Sequence, residues 1–256
     1  MGRHSTPTEV YEGYFQNSLR HGHGILYNRS SDTELGDVVY DGDWVQGSPQ
    51  GQGTLVFSVI GEGTGGQPIA ARYVGDISCG QPHGMGECAY ANGTKYIGQW
   101  RKGLRNGFGK FIAANDDTFD GKWVQDKRCG KGLWTSHRGD QYSGVWLDNL
   151  PHGNGRFAYV NGDIYDGDWI EGKYHGVGSL NHSDGSSYNG QFTFDLPNGK
   201  GIWRGPPRSD GEIMYNGEWS EGVRSGSGKA NYASGDEYFG YFANDRPVST
   251  SPTSKK

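Results

Sequence analysis

An aromatic–x–Gly–x–aromatic motif recurs along the chain, nine times in full and once with Ile77 in the last place, and no other feature constrains the fold as strongly. The leading aromatics are Tyr11, Tyr40, Tyr73, Tyr96, Phe119, Tyr142, Tyr165, Tyr188, Tyr215 and Tyr238. Six of the intervals between them are 23 residues, and the other three are 29, 33 and 27. A fixed period of this length marks a chain built from stacked supersecondary units. Let the leading aromatic be column 0. Column 2 is then Gly in every copy, from Gly13 to Gly240. Column 4 holds Phe15, Trp44, Ile77, Trp100, Trp123, Trp146, Trp169, Phe192, Trp219 and Phe242. Columns 11 and 13 form a Gly-x-Gly pair in nine copies, and the tenth copy stops at Pro247. All three insertions follow that pair, so the first half of each copy never changes length.

Columns 0, 2 and 4 have strand spacing, which puts aromatic, Gly and aromatic on one face. Column 7 is Gly, Asn or Asp in nine copies, as a tight turn with positive φ requires. The second strand carries Gly, Gly and then an apolar residue at column 15. Asn92-Gly93 and Asn161-Gly162 mark a second turn. Each copy therefore reads as a β-hairpin paired with the next. Of the 46 glycines among 256 residues, 38 sit in columns 2, 7, 11, 13 and 20. Glycine at that density excludes a helical bundle, and it lacks the every-third register of collagen. The aromatic content of 13% argues against simple disorder. Glycine inside strands is costly unless something covers it. We expect aromatic rings to lie over side-chain-free positions at columns 2 and 11 of neighbouring strands.

The segments YDGDWVQGSPQGQG (Tyr40–Gly53), YIGQWRKGLRNGFG (Tyr96–Gly109) and YDGDWIEGKYHGVG (Tyr165–Gly178) resemble MORN repeats, whose pattern is Y-x-G-x-W, a turn, then H/N-G-x-G. The resemblance runs from Tyr11 to about Arg246. It departs at Ile77, at Cys129 and Ser225, and in the shortened last copy. It implies an all-β fold: an elongated, single-layer antiparallel sheet of consecutive hairpins. Residues 1–10 are then a lead, 11–246 the array and 247–256 a polar tail, which would leave any catalytic module to another chain. It further implies a non-enzymatic scaffold for protein partners at a cytoskeletal, ciliary or flagellar assembly. The alternatives are a peripheral membrane adaptor for acidic phospholipids and a regulatory subunit of a partner enzyme. Some members of this kind dimerise through a terminal repeat, so the resemblance also raises a homodimer through the terminal repeats.

Other motifs carry less. Gly61-x-Gly63-x-x-Gly66 matches a dinucleotide fingerprint, but no amphipathic helix follows it. Column 10 places His21, His83, His152 and His175 at equivalent positions, where neighbouring copies lie two strands apart and no Cys or carboxylate repeats beside them. They are read as turn residues, and neither a metal nor a cofactor is expected. No nucleophile–base–orienter set is present, so no catalytic residue is assigned. Cys79, Cys88 and Cys129 fit no CxxC pair or disulfide framework. Asn28, Asn92 and Asn181 begin Asn-x-Ser/Thr triplets, but glycosylation needs secretion. MGRHSTPTEV offers no apolar leader, so a cytoplasmic protein is expected. The net charge of −5 argues against nucleic-acid binding.

Two candidate surfaces remain. Hairpin tips, columns 5 to 10, sum to about +3, and the opposite row of turns to about −8. Between Lys95 and Arg138 the net charge is +6. Arg101, Lys102, Arg105, Lys127 and Arg128 are therefore a candidate patch for an acidic partner or anionic lipid. The stripe of Tyr96, Trp100, Phe119, Trp123, Tyr142, Trp146, Tyr165 and Trp169 either packs on itself or lines a groove for a peptide. Asp41, Asp43, Asp166 and Asp168, at columns 1 and 3, read as a solvated face. The insertions depart most from the pattern and are further places for partner contacts.

Overall fold

A computed structural model of the chain describes residues 1–29, 37–59, 68–206 and 211–248. The Gly61–Gly66 motif and the end of the polar tail lie outside them. The described residues form strands and turns, with no helix. The chain divides into two compact units, Met1–Lys127 and Arg128–Lys256.

Each unit is an antiparallel sheet of consecutive hairpins. In the first, Lys95–Arg101 pairs with Leu104–Ile112, which pairs onward with Thr118–Val124. In the second, Gln141–Leu147 pairs with Leu150–Ala158, which pairs with Ile164–Ile170. The lead is not idle: Gly2–Ser5 forms a strand against Glu9–Gln16.

The sharp turn is a two-residue loop with both residues at positive φ in all ten copies, as in Lys102 (53°) and Gly103 (78°) or Asp148 (47°) and Asn149 (74°). That is the type I′ geometry whose twist matches paired strands. Column 7 announces it in the sequence. Column 6 does not, because Gln46, Cys79 and Phe194 occupy it with φ near +50°.

The rings pack on one face and cover column 2 as expected, but on the neighbouring strand they cover column 13 rather than column 11. A Cβ on Gly144 (column 2) would stand 2.5 Å from Tyr142 Oη and 2.6 Å from the Gly155 Cα. One on Gly155 (column 13) would stand 2.6 Å from the Tyr142 ring. Each tyrosine thus lies over column 2 of its own strand and, except in the shortened tenth copy, over column 13 of its partner. Column 11 is not under a ring. Its nine glycines all have positive φ, from 55° at Gly84 to 109° at Gly107. They are bulge residues, and the register shifts opposite them, as between Gly144 and Val145. The bulge moves the second strand by one residue, which brings column 9 onto the ring face beside column 4, as in Trp100 opposite Arg105.

Candidate interaction surfaces of the repeat array

The polar ends of the rings close the bulges. All nine column 0 tyrosines donate their hydroxyl to the column 3 carbonyl, as Tyr96 does to Gln99 at 3.1 Å and Tyr142 to Val145 at 2.9 Å. All six column 4 tryptophans donate Nε1–H to the column 13 glycine carbonyl of the preceding copy, as Trp123 does to Gly109 at 3.1 Å and Trp169 to Gly155 at 2.9 Å. Burial raises the hydroxyls of Tyr40, Tyr96, Tyr188 and Tyr215 to a pKa of about 12, against an ordinary 10.0.

Column 3 also has a structural task. Asp76 and Asp168 accept the backbone N–H of Met85 and Val177, at 2.8 and 3.0 Å, and Gln99 and Gln191 accept from Phe108 and Lys200 in the same way. Asp43 accepts from Gln52, at 3.3 Å. So Asp43 and Asp168, read from the sequence as solvated acids, also hold the bulge. Asp41 and Asp166 make side-chain pairs with His23 and Arg156. Column 10 lies in the second strand at the bulge rather than in the turn, as Val145 opposite His152 and Asp168 opposite His175 demonstrate. The backbone carbonyls of His83 and His175 accept from Tyr73 and Tyr165. Among the described residues no cluster of three His, Cys, Asp or Glu could hold a metal ion.

The eight rings of the candidate groove are 0–4% exposed. Tyr96 meets Trp100 and Trp123 edge-on at 5.1 and 5.5 Å, and Tyr142 meets Trp146 and Trp169 at 5.1 and 5.0 Å. Such pairs add about 0.5–1.5 kcal/mol each beyond the area they bury. The rings are the core of each unit.

The five basic candidates separate by column. Arg105 is turned onto the ring face: its guanidinium lies 4.3 Å from the Trp123 ring and its Nε 2.9 Å from Asp126 Oδ1. Arg128 lies 4.5 Å from the Trp146 ring. Arg101, Lys102 and Lys127 are exposed on the outer face or at a tip. The outer face also carries residues that sequence reasoning passed over. Phe108 is 65% exposed and Met85 55%, and Ile97 is exposed beside them. Phe108 stands directly across from Lys122, and Ile97 from Lys110. Their parity, opposite to that of the rings, was the available signal.

Nine segments match one family's repeat pattern: 11–33, 40–58, 73–95, 96–118, 119–141, 142–164, 165–187, 188–209 and 215–237. The chain belongs to the MORN repeat family. MORN repeats are known from scaffolds that bind proteins or membranes, and the repeat itself is a non-catalytic module. The conserved letters of the MORN pattern coincide with the ring, bulge and turn positions above. Among curated proteins no match is found. Among solved structures, the chain is similar at 11% identity to one titled "SAS-4 (dCPAP) TCP domain in complex with a Proline Rich Motif of Ana2 (dSTIL) of Drosophila Melanogaster". That match covers 72% of this chain and 88% of the other, with a TM-score of 0.31, too distant to bear on fold or function.

Proposed function

We propose that this MORN array is a non-enzymatic scaffold that holds an acidic protein partner on the outer face of repeats three to five. The observation that carries the reading is Phe108, exposed directly across from Lys122. Met85 and Ile97 extend the apolar surface, and Lys95, Arg101, Lys102 and Lys110 stand around it, outnumbering Glu87 across from Ile97 and Asp120 across from Lys110. Apolar side chains rimmed by cations suit a partner that offers both carboxylates and apolar contacts. A cytoplasmic cytoskeletal, ciliary or flagellar setting is part of this proposal and rests on the family resemblance. Self-association through the terminal repeats also belongs to it, supported by Phe239 and Tyr241, exposed on the last long strand.

The test is proximity labelling with the full chain and with a variant carrying Phe108→Asp, Arg101→Glu and Lys122→Glu. Loss of a defined set of labelled proteins is the expected result. An unchanged set overturns the reading. The same apolar and basic surface also suits an anionic bilayer. Co-sedimentation with phosphatidylserine vesicles that falls with salt and with the triple variant would favour that second reading.

A further inference from the structure

In the second unit a pocket of about 230 Å³ opens on the ring face, lined by Trp203, Glu212, Trp219, Arg224 and Asp245. Its components depart from the repeat rule. The other column 4 tryptophans are at most 4% exposed, whereas Trp219 is only partly buried. Arg224 is a column 9 arginine like Arg105, but it holds two carboxylates instead of one. Glu212 takes its Nη1 with both oxygens at 2.5 Å. Asp245 accepts Nε at 3.1 Å, and its backbone carbonyl accepts Nη2 at 2.8 Å. Burial works against the guanidinium charge, yet Glu212 and Asp245 outweigh it and hold the pKa above the ordinary value.

Two carboxylates on one guanidinium leave the cluster with one negative charge. Arg224 commits four of its five side-chain N–H donors to these partners, so an anion would find one at most. Two indoles beside a net negative charge make a site for a cation with an apolar or flat body, because the ring faces are negative and the carboxylates supply the balancing charge. We propose that this pocket binds an organic cation, a guanidinium or alkylammonium group. The site is separate from the outer-face surface and does not depend on it.

The test titrates the full chain with N-acetyl-arginine amide, tetramethylammonium and N-acetyl-citrulline amide, read by the indole N–H resonances. Trp203→Phe and Trp219→Phe variants assign the signals. The Trp203 and Trp219 resonances should shift saturably with the two cations and not with the neutral citrulline. Glu212→Gln should weaken binding about tenfold or more, as loss of the net charge implies. Should Glu212→Gln melt early, Trp203→Leu leaves the carboxylates in place and should weaken binding about as much. A shift of equal size with citrulline, no selective shift in the unmodified chain, or unchanged affinity in a folded variant overturns the proposal. A Gly-Arg-Gly peptide binding about tenfold more tightly than N-acetyl-arginine amide would assign the site to a partner's side chain. Equal affinity would assign it to a free cation.

Discussion

The backbone N–H of Arg105 donates to Asp126 Oδ1 at 2.9 Å, and the Asp126 N–H donates back to the Arg105 carbonyl at 3.0 Å. The two residues belong to successive copies, at columns 9 and 7. The return bond recurs in every neighbouring pair, from Gly47 to Arg20 up to Asp245 to Arg224. The forward bond recurs as Arg128 to Asn149, Tyr174 to Asp195 and Arg224 to Asp245. Where column 9 is Pro, there is no N–H to satisfy, and the next column 7 is Gly: Pro49 with Gly80, Pro82 with Gly103, Pro151 with Gly172 and Pro197 with Gly222. Arg20 with Gly47 is the exception.

This relationship predicts a coupled pair. Asp126→Gly should destabilise the chain by about 1–3 kcal/mol, since it strips a part-buried donor of its partner. Adding Arg105→Pro removes the donor and should recover about 1 kcal/mol of that loss in a double-mutant cycle by denaturant melting. Strict additivity of the two changes would refute it.

The tyrosine hydroxyls predict a second effect. Tyr142→Phe should cost about 1 kcal/mol, the usual net value of such a bond. Phe119 is the one column 0 residue without a hydroxyl. Phe119→Tyr should stabilise by a similar amount, through a bond to the Lys122 carbonyl. Paired thermal melts check both signs.

Gly144→Val places side-chain carbons against the Tyr142 ring and the Gly155 backbone, and should cost about 3–5 kcal/mol. A turn substitution should be far milder, but not any substitution. Asn149 has φ of 74° and accepts from Arg128, so Asn149→Asp should stay within about 0.5 kcal/mol. Asn149→Val should not. Chemical denaturation of the three variants ranks them.

Cys79 is an exposed non-glycine residue at φ of 50°. Asparagine tolerates that region better, so Cys79→Asn should stabilise by about 0.5–1 kcal/mol. Ser78→Asn, one residue earlier, should bring no such gain. The comparison is again by melting temperature.

High pH should unfold the array. Buried tyrosines such as Tyr40, Tyr96 and Tyr215 ionise near pH 12 when folded but near 10.0 when unfolded. The unfolded state therefore holds fewer protons between those values, and stability falls as pH rises through them. Below pH 10 the contribution is fully present. Each such group steepens the loss by about 1.4 kcal/mol per pH unit. Tyrosinate absorbance and loss of the circular dichroism signal should rise together in that window. Tyrosine ionisation completed while the sheet stays intact would contradict this.

The period and both turns were legible in the sequence because ten copies repeat each column. The bulge was not. Columns 11 and 13 are both Gly, and nothing in the letters separates a glycine under Tyr142 from one in the left-handed region such as Gly153 (φ 61°). Parity counted across the bulge fails by one, so Arg105 and Arg128 looked like tip cations and proved to lie on the rings. The pairing of Arg105 with Asp126 spans 21 residues and crosses the period, where reading one copy at a time does not reach.

The shortened tenth copy ends after Asp245, Arg246 and Pro247, having supplied the Phe242 ring beneath Arg224 and the carboxylate beside it. Those are the contacts that Arg105 receives from the Trp123 ring and Asp126 of its own successor copy. The interlocking piece is therefore out of phase with the written repeat: it runs from the second strand of one copy through the first strand of the next. An array cut or extended by any multiple of 23 residues keeps each such joint intact, provided a half-copy closes it. Length can then change by duplication without a new core, or in the segments after column 13, where the intervals of 29, 33 and 27 residues keep their return bonds, while a deletion between columns 0 and 13 would leave a donor or a ring without its mate.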